Sequence, residues 1–154
     1  MVREPDTGVF DETVAPGAPI QAALDRCREG GFILLQPGMH TLKERLLIAR
    51  EVHVFGRGLA RLRVNSCDGI ICSAAAATLD GLTVERTRDH EKFVGVRIQA
   101  GRLRLQNSVV TGSFKVGLAI TRGSDPFIVA CRCVPHHCIR PAPFPSLRER
   151  EIFP

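Results

Sequence analysis

Apolar and polar positions along the chain follow two rhythms. Between residues 18 and 29, Ile20, Ala23, Leu24 and Cys27 fall on one side of a helical period, Pro19 stands where a first helical turn tolerates it, and Gly30-Gly31 closes the segment. This predicts one short amphipathic helix. From Phe32 onward the period drops to two: short apolar runs alternate with polar positions and are broken every few residues by Gly, Asn, Asp or Pro. No second helix is predicted.

The strands repeat. The alternating triplet Ile33-x-Leu35 returns as Val54-x-Gly56, Leu79-x-Gly81, Leu105-x-Asn107 and Ile128-x-Ala130, in steps of 21, 25, 26 and 23 residues. A second column, Gly69-Ile70-x-Cys72, Gly95-Val96-x-Ile98 and Gly117-Leu118-x-Ile120, runs ahead of the triplet; a third, Leu82-x-Val84, Ser108-x-Val110 and Cys131-x-Cys133, follows it. Units of this size suit a chain that winds one rung per repeat, with equivalent strands stacked in parallel about 4.8 Å apart and inward positions forming aliphatic ladders. Leucine-rich repeats share the period but need a regular Leu-x-x-Leu-x-Leu series, which is missing. A β-sandwich competes less well, because the Gly-apolar-x-apolar column keeps a fixed offset. The expected layout is an extended lead-in at 1–17, a β-helix at 18–134 with its capping helix at 18–29, and a Pro-rich tail at 135–154.

Three stretches carry a resemblance. Ile20-Gln21-Ala22-Ala23-Leu24-Asp25, Gly30-Gly31-Phe32-Ile33-Leu34-Leu35-Gln36-Pro37-Gly38 and Val52-His53-Val54-Phe55-Gly56-Arg57-Gly58 are similar to the opening of pectin-lyase-like proteins, where such a helix caps the first coil. Ile120-Thr121-Arg122-Gly123-Ser124-Asp125-Pro126 is similar to a turn leading into a rung. The likeness spans about residues 18–134 and is closest to the β-helix repeats of F-box-only proteins. It implies an all-β fold: a right-handed, single-stranded parallel β-helix of about five rungs with an N-terminal capping α-helix. Function stays open, since this fold carries lyases, hydrolases, esterases and noncatalytic binders.

Composition narrows the partners. With 154 residues and 44% hydrophobic content the chain supports one packed core without disulfides or metal. No run approaches a membrane span, and Met1-Val2-Arg3-Glu4-Pro5-Asp6 carries charges and Pro where a signal peptide needs apolar residues, so the expected compartment is the cytoplasm. Trp and Tyr are absent, which argues against nucleic acid and sugar stacking. The net charge of +5 is carried mostly by Arg, whose fork suits carboxylate or phosphate, and this points to an acidic polymer or a protein partner. The six cysteines are expected as reduced core thiols.

Candidate chemistry is sparse. Polygalacturonase-type enzymes need Asn-Thr-Asp, Gly-His-Gly and Arg-Ile-Lys, and only Arg97-Ile98-Gln99 comes near; Gly38-Met39-His40-Thr41-Leu42 lacks the Tyr and Glu of a pectin methylesterase strand. Asp68, Asp80, Asp89 and Asp125 occupy different offsets within their rungs, so no calcium-binding column of acids is expected. Cys131, Cys133, His136, His137 and Cys138 lack the paired spacing of a zinc site, and Cys131 and Cys133 are expected to face inward. Alternation places His40 and His53 on the surface, and Asn65 and Asn107 at turns where they bond neighbouring rungs. No catalytic residue, metal or cofactor is therefore assigned.

The function expected from sequence is a noncatalytic binding or scaffold module. Its ligand surface would be the exposed face of one sheet carrying Arg61, Arg63, Arg97, Arg102 and Arg104. The alternative is a carbohydrate-active enzyme of pectate lyase or polygalacturonase type acting on acidic polysaccharide. The rung pattern stops in the Pro-rich tail, as in a fragment of a longer β-helix, and an uncapped last rung would permit end-to-end association.

Overall fold

The computed structural model describes residues 3–6, 8–65, 67–87, 93–135 and 149–152. Strand β1 (Glu12–Val14) and helix α1 (Ile20–Arg26) precede a chain that winds through five coils. The first coil contributes β2 (Gly31–Leu35), β3 (Gly38–Leu42) and β4 (Leu46–Ile48); the second β5 (Val52–Val64) and β6 (Ile70–Cys72); the third β7 (Ala76–Arg86) and β8 (Val94–Ile98). The fourth contributes β9 (Arg102–Gln106), β10 (Val109–Gly112) and β11 (Val116–Thr121), and the fifth β12 (Phe127–Val129) and β13 (Arg132–Pro135). Strand β14 (Glu149–Ile152) runs antiparallel to β11, and every other pairing among the described residues is parallel.

Three stacks of strands enclose the core. The first flank holds β2, the front of β5, the front of β7, β9 and β12, so that Ile33, Val54, Leu79, Leu105 and Ile128 form one inward ladder. The second flank holds β3, the back of β5, the back of β7, β10 and β13, with His40, Leu62, Val84, Val110 and Cys133 in line. The third stacks β4, β6, β8 and β11, aligning Leu46, Ile70, Val96 and Leu118. The inward ladders of these three stacks are mostly aliphatic, and nearly all of their side chains are buried.

The recurring triplet now has a structural cause. In the last three coils its third position is the corner between the first and second flanks, where Gly81, Asn107 and Ala130 have φ of 68°, 50° and 52°; in the second coil the left-handed residues are Arg57 and Gly58, just past Gly56. A left-handed residue turns an extended strand, and Gly and Asn bear that conformation best. The Gly69, Gly95, Gly117 column has another cause. A Cβ on Gly95 would lie 2.5 Å from Val110 Cγ1 and 2.6 Å from the Gly117 carbonyl oxygen, so the backbone passes too close to the core for a side chain.

The ends are covered differently. Ile20, Ala23 and Leu24 of α1 are buried over the first coil, and Arg50 donates to the carbonyls of Leu24 and Asp25 at the helix's C-terminal end. The lead-in, expected as simply extended, adds β1 in parallel to β2 and packs Phe10 edge-on against Phe55, with ring centroids 6.1 Å apart. Glu4 accepts two hydrogen bonds from Arg57 at 2.9 and 3.0 Å and anchors the segment. Among the described residues no helix is long and apolar enough to cross a membrane.

Candidate binding surface

The tripeptide Arg-Leu-Arg occurs twice, at Arg61-Leu62-Arg63 and Arg102-Leu103-Arg104. Both leucines are fully buried. Strand alternation then throws both arginines of each tripeptide outward on one face, two residues apart.

In the first tripeptide, the back of β5 sets Arg61 beside Thr83 and Arg63 beside Glu85 of β7. Arg61 Nη2 donates to Glu85 Oε2 at 2.6 Å, and Arg63 Nη2 lies 3.5 Å from Oε1. The Glu85 side chain is only 7% exposed. Two guanidiniums thus hold one buried carboxylate, which two opposite charges stabilise where a single exposed pair would be screened.

In the second tripeptide, β9 sets Arg102 beside Ala76 and Arg104 between Thr78 and Phe127. The Arg104 guanidinium lies 4.7 Å from the Phe127 ring centroid, a cation–π contact. Arg102 Nη2 meets Asp125 Oδ2 at 2.9 Å, with side chains 70% and 76% exposed. Arg97 stands elsewhere, on β8 of the third stack, between Ile71 and Ala119.

One sheet face carrying all five arginines is therefore not what forms. The left-handed corner separates Arg102 and Arg104 from Arg61 and Arg63, and β8 belongs to a different sheet. Glu85, Asp125 and Phe127 were missed as partners because they meet the arginines through rung register, one coil away. The repeated Arg-Leu-Arg was the signal that marked both places.

The acidic side chains serve the coils. Asp80 accepts from Gln106 Nε2 at 2.7 Å and Asn107 Nδ2 at 3.0 Å, so Asn107 does bond the preceding rung. Asp68 accepts from the Val94 amide at 2.8 Å, while Asp89 lies outside the described residues. Asp11 accepts from the Phe32 amide and from Arg28, both at 2.8 Å, and those bonds hold its carboxyl below the usual range.

Both histidines depart from the surface positions expected of them. Gly38 has φ of 126° and resets the strand phase, so His40 points inward beside Leu62, is 1% exposed and donates Nε2–H to the Gln36 carbonyl at 2.9 Å. His53 does point off the coil, but it packs 5.2 Å from the Phe32 ring, and its Nδ1 lies 3.0 Å from Thr78 Oγ1. Desolvation pushes its pKa down, against the pull of Glu51.

Cys133 sits in the inward column, and burial pushes up the thiols of Cys27, Cys72, Cys131 and Cys133, which favours their protonated form. His136, His137 and Cys138 lie outside the described residues. Among the described residues no group of three or more His, Cys, Asp or Glu is placed to hold a metal ion.

The fold is that of the parallel β-helix proteins. A solved structure of a PL6 family alginate lyase, AlyGC, superposes with a TM-score of 0.64 at 17% sequence identity, over 80% of this chain and 20% of that one. The chain thus spans about a fifth of the length of the protein it matches, and the likeness shows the fold alone. No protein-family model and no curated protein matches the chain. The kinship with F-box-only proteins finds no support among these comparisons.

Proposed function

We propose that this β-helix is a noncatalytic module that binds a carboxylate-bearing polysaccharide through outward arginines. The observation that carries it is the Arg-Leu-Arg tripeptide presented on two flanks, one copy of which already clamps a carboxylate, that of Glu85. Arg forks recognise carboxylates bidentately, and each tripeptide sets two such forks two residues apart on one strand face. The fold neighbour is named for action on alginate, a polymer of this chemical class.

That same neighbour favours a second reading, a polysaccharide lyase. Here Asp68, Asp80 and Glu85 are engaged in bonds between coils, and such bonds favour binding over turnover.

Titration calorimetry with alginate and polygalacturonate oligosaccharides separates the two. The expected result is salt-sensitive binding, on the order of micromolar to millimolar Kd, with no rise in ultraviolet absorbance from unsaturated ends, with or without calcium. Steady release of such ends replaces the module by an enzyme. Absence of binding at low salt overturns both.

A further inference from the structure

Resting on the binding role proposed above, we infer that the outer face of β9 and β12 holds a subsite for one uronate residue. Arg102 and Arg104 take its carboxylate, and Phe127 takes the sugar ring.

The two Arg-Leu-Arg copies differ in one respect that decides between them. At Arg61 and Arg63 the clamp is filled from within by a carboxylate that is almost fully buried. At Arg102 and Arg104 the only carboxylate in contact among the described residues is Asp125, 76% exposed, on a pair that water screens and an incoming anion displaces. The first copy shows what this spacing does with a carboxylate; the second offers the same spacing open to solvent.

Phe127 adds a requirement that charge alone does not meet. It is 46% exposed, with Val129 exposed beside it on the same face of β12, and one side of its ring carries the Arg104 guanidinium. The ring contact holds the guanidinium beside Phe127, and a cation over an aromatic face keeps its N–H groups as donors for a carboxylate. A ligand that fills this place joins an apolar face rigidly to a carboxylate. A uronate does so, since its C–H face lies against a ring while the carboxylate projects from the sugar's edge. Acidic peptides carry carboxylates on flexible stems and gain nothing from Phe127.

The test is calorimetric titration of the full chain with an oligouronate and, separately, with polyglutamate. Arg102→Gln combined with Arg104→Gln is expected to weaken oligouronate binding about tenfold or more, the loss of two charge-assisted contacts. Phe127→Leu, which keeps the apolar surface but removes the ring, should weaken it roughly threefold to tenfold. Asp125→Asn, which frees Arg102, should tighten it roughly twofold to fivefold. Lys43→Gln, which removes one exposed charge between β3 and β4 of the first coil, should change it less than about twofold.

Matching thermal midpoints for the variants confirm that each is folded. If the unaltered chain binds the oligouronate and the Arg102/Arg104 and Phe127 variants bind equally well, the subsite is wrong while the binding role stands. If polyglutamate binds as tightly and Phe127→Leu has no effect, the face is a contact for acidic protein and the subsite falls. If the unaltered chain binds no oligouronate, both fall together.

Discussion

Ala130 holds a φ of 52° in a column whose other left-handed members are Gly81 and Asn107. A Cβ residue in the left-handed region is strained by about 1–2 kcal/mol, and Gly removes the strain at some cost in unfolded-state entropy. Ala130→Gly should therefore raise stability by about 0.5–1 kcal/mol, read as a higher urea midpoint at constant slope. A second residue, His53, sets a pH dependence. Its folded pKa lies below that of an exposed histidine because burial disfavours the charged ring. The unfolded chain then binds the proton first, so His53's contribution is intact above about pH 6.5 and is lost as pH falls through and below that value. Denaturant titrations between neutral and mildly acidic pH should show a steeper loss for the unaltered protein than for His53→Asn. An equal slope in both would remove His53 as the cause.

At the level of the strand, the glycine column gives one motif with two outcomes. At Gly95 an added Cβ meets the Gly117 carbonyl at 2.6 Å and Val110 at 2.5 Å, whereas at Gly117 the nearest atom is Cys133 Cβ at 3.5 Å, an ordinary contact. Gly95→Ala should cost about 1–3 kcal/mol through forced backbone shift, and Gly117→Ala should fall within about 0.5 kcal/mol of the parent. Comparable losses for both would show that the column is kept for conformation, not space. The glycine column was legible in the sequence because stacking repeats one steric demand at Gly69 and Gly95, and the triplet column because three successive coils turn at the same position. The phase of β3 was not, since Gly38 resets alternation without changing composition and so turns His40 inward. Nor was the grouping of arginines: whether Arg61 and Arg102 share a face depends on the corner at Gly81 and Asn107, which alternation within one strand does not record.

Across the whole molecule, the coils contact their neighbours and little else, which makes stability nearly one-dimensional. Leu62 of the second coil stacks directly on Val84 of the third, followed by Val110 and then Cys133 of the fifth. Leu62 and Val84 share a contact surface, so truncating one leaves a cavity that the other lines; Leu62 and Cys133 are three steps apart, about 14 Å at the stacking distance. Leu62→Ala alone should cost about 2–5 kcal/mol. Combined with Val84→Ala it should depart from additivity by roughly 0.5 kcal/mol or more, because the two cavities merge; combined with Cys133→Ala the costs should add within about 0.5 kcal/mol. Chemical denaturation of the single and double variants measures both coupling energies. A strong coupling between Leu62 and Cys133 would mean that the stack transmits strain over three coils, and the nearest-neighbour description of this β-helix would then fail.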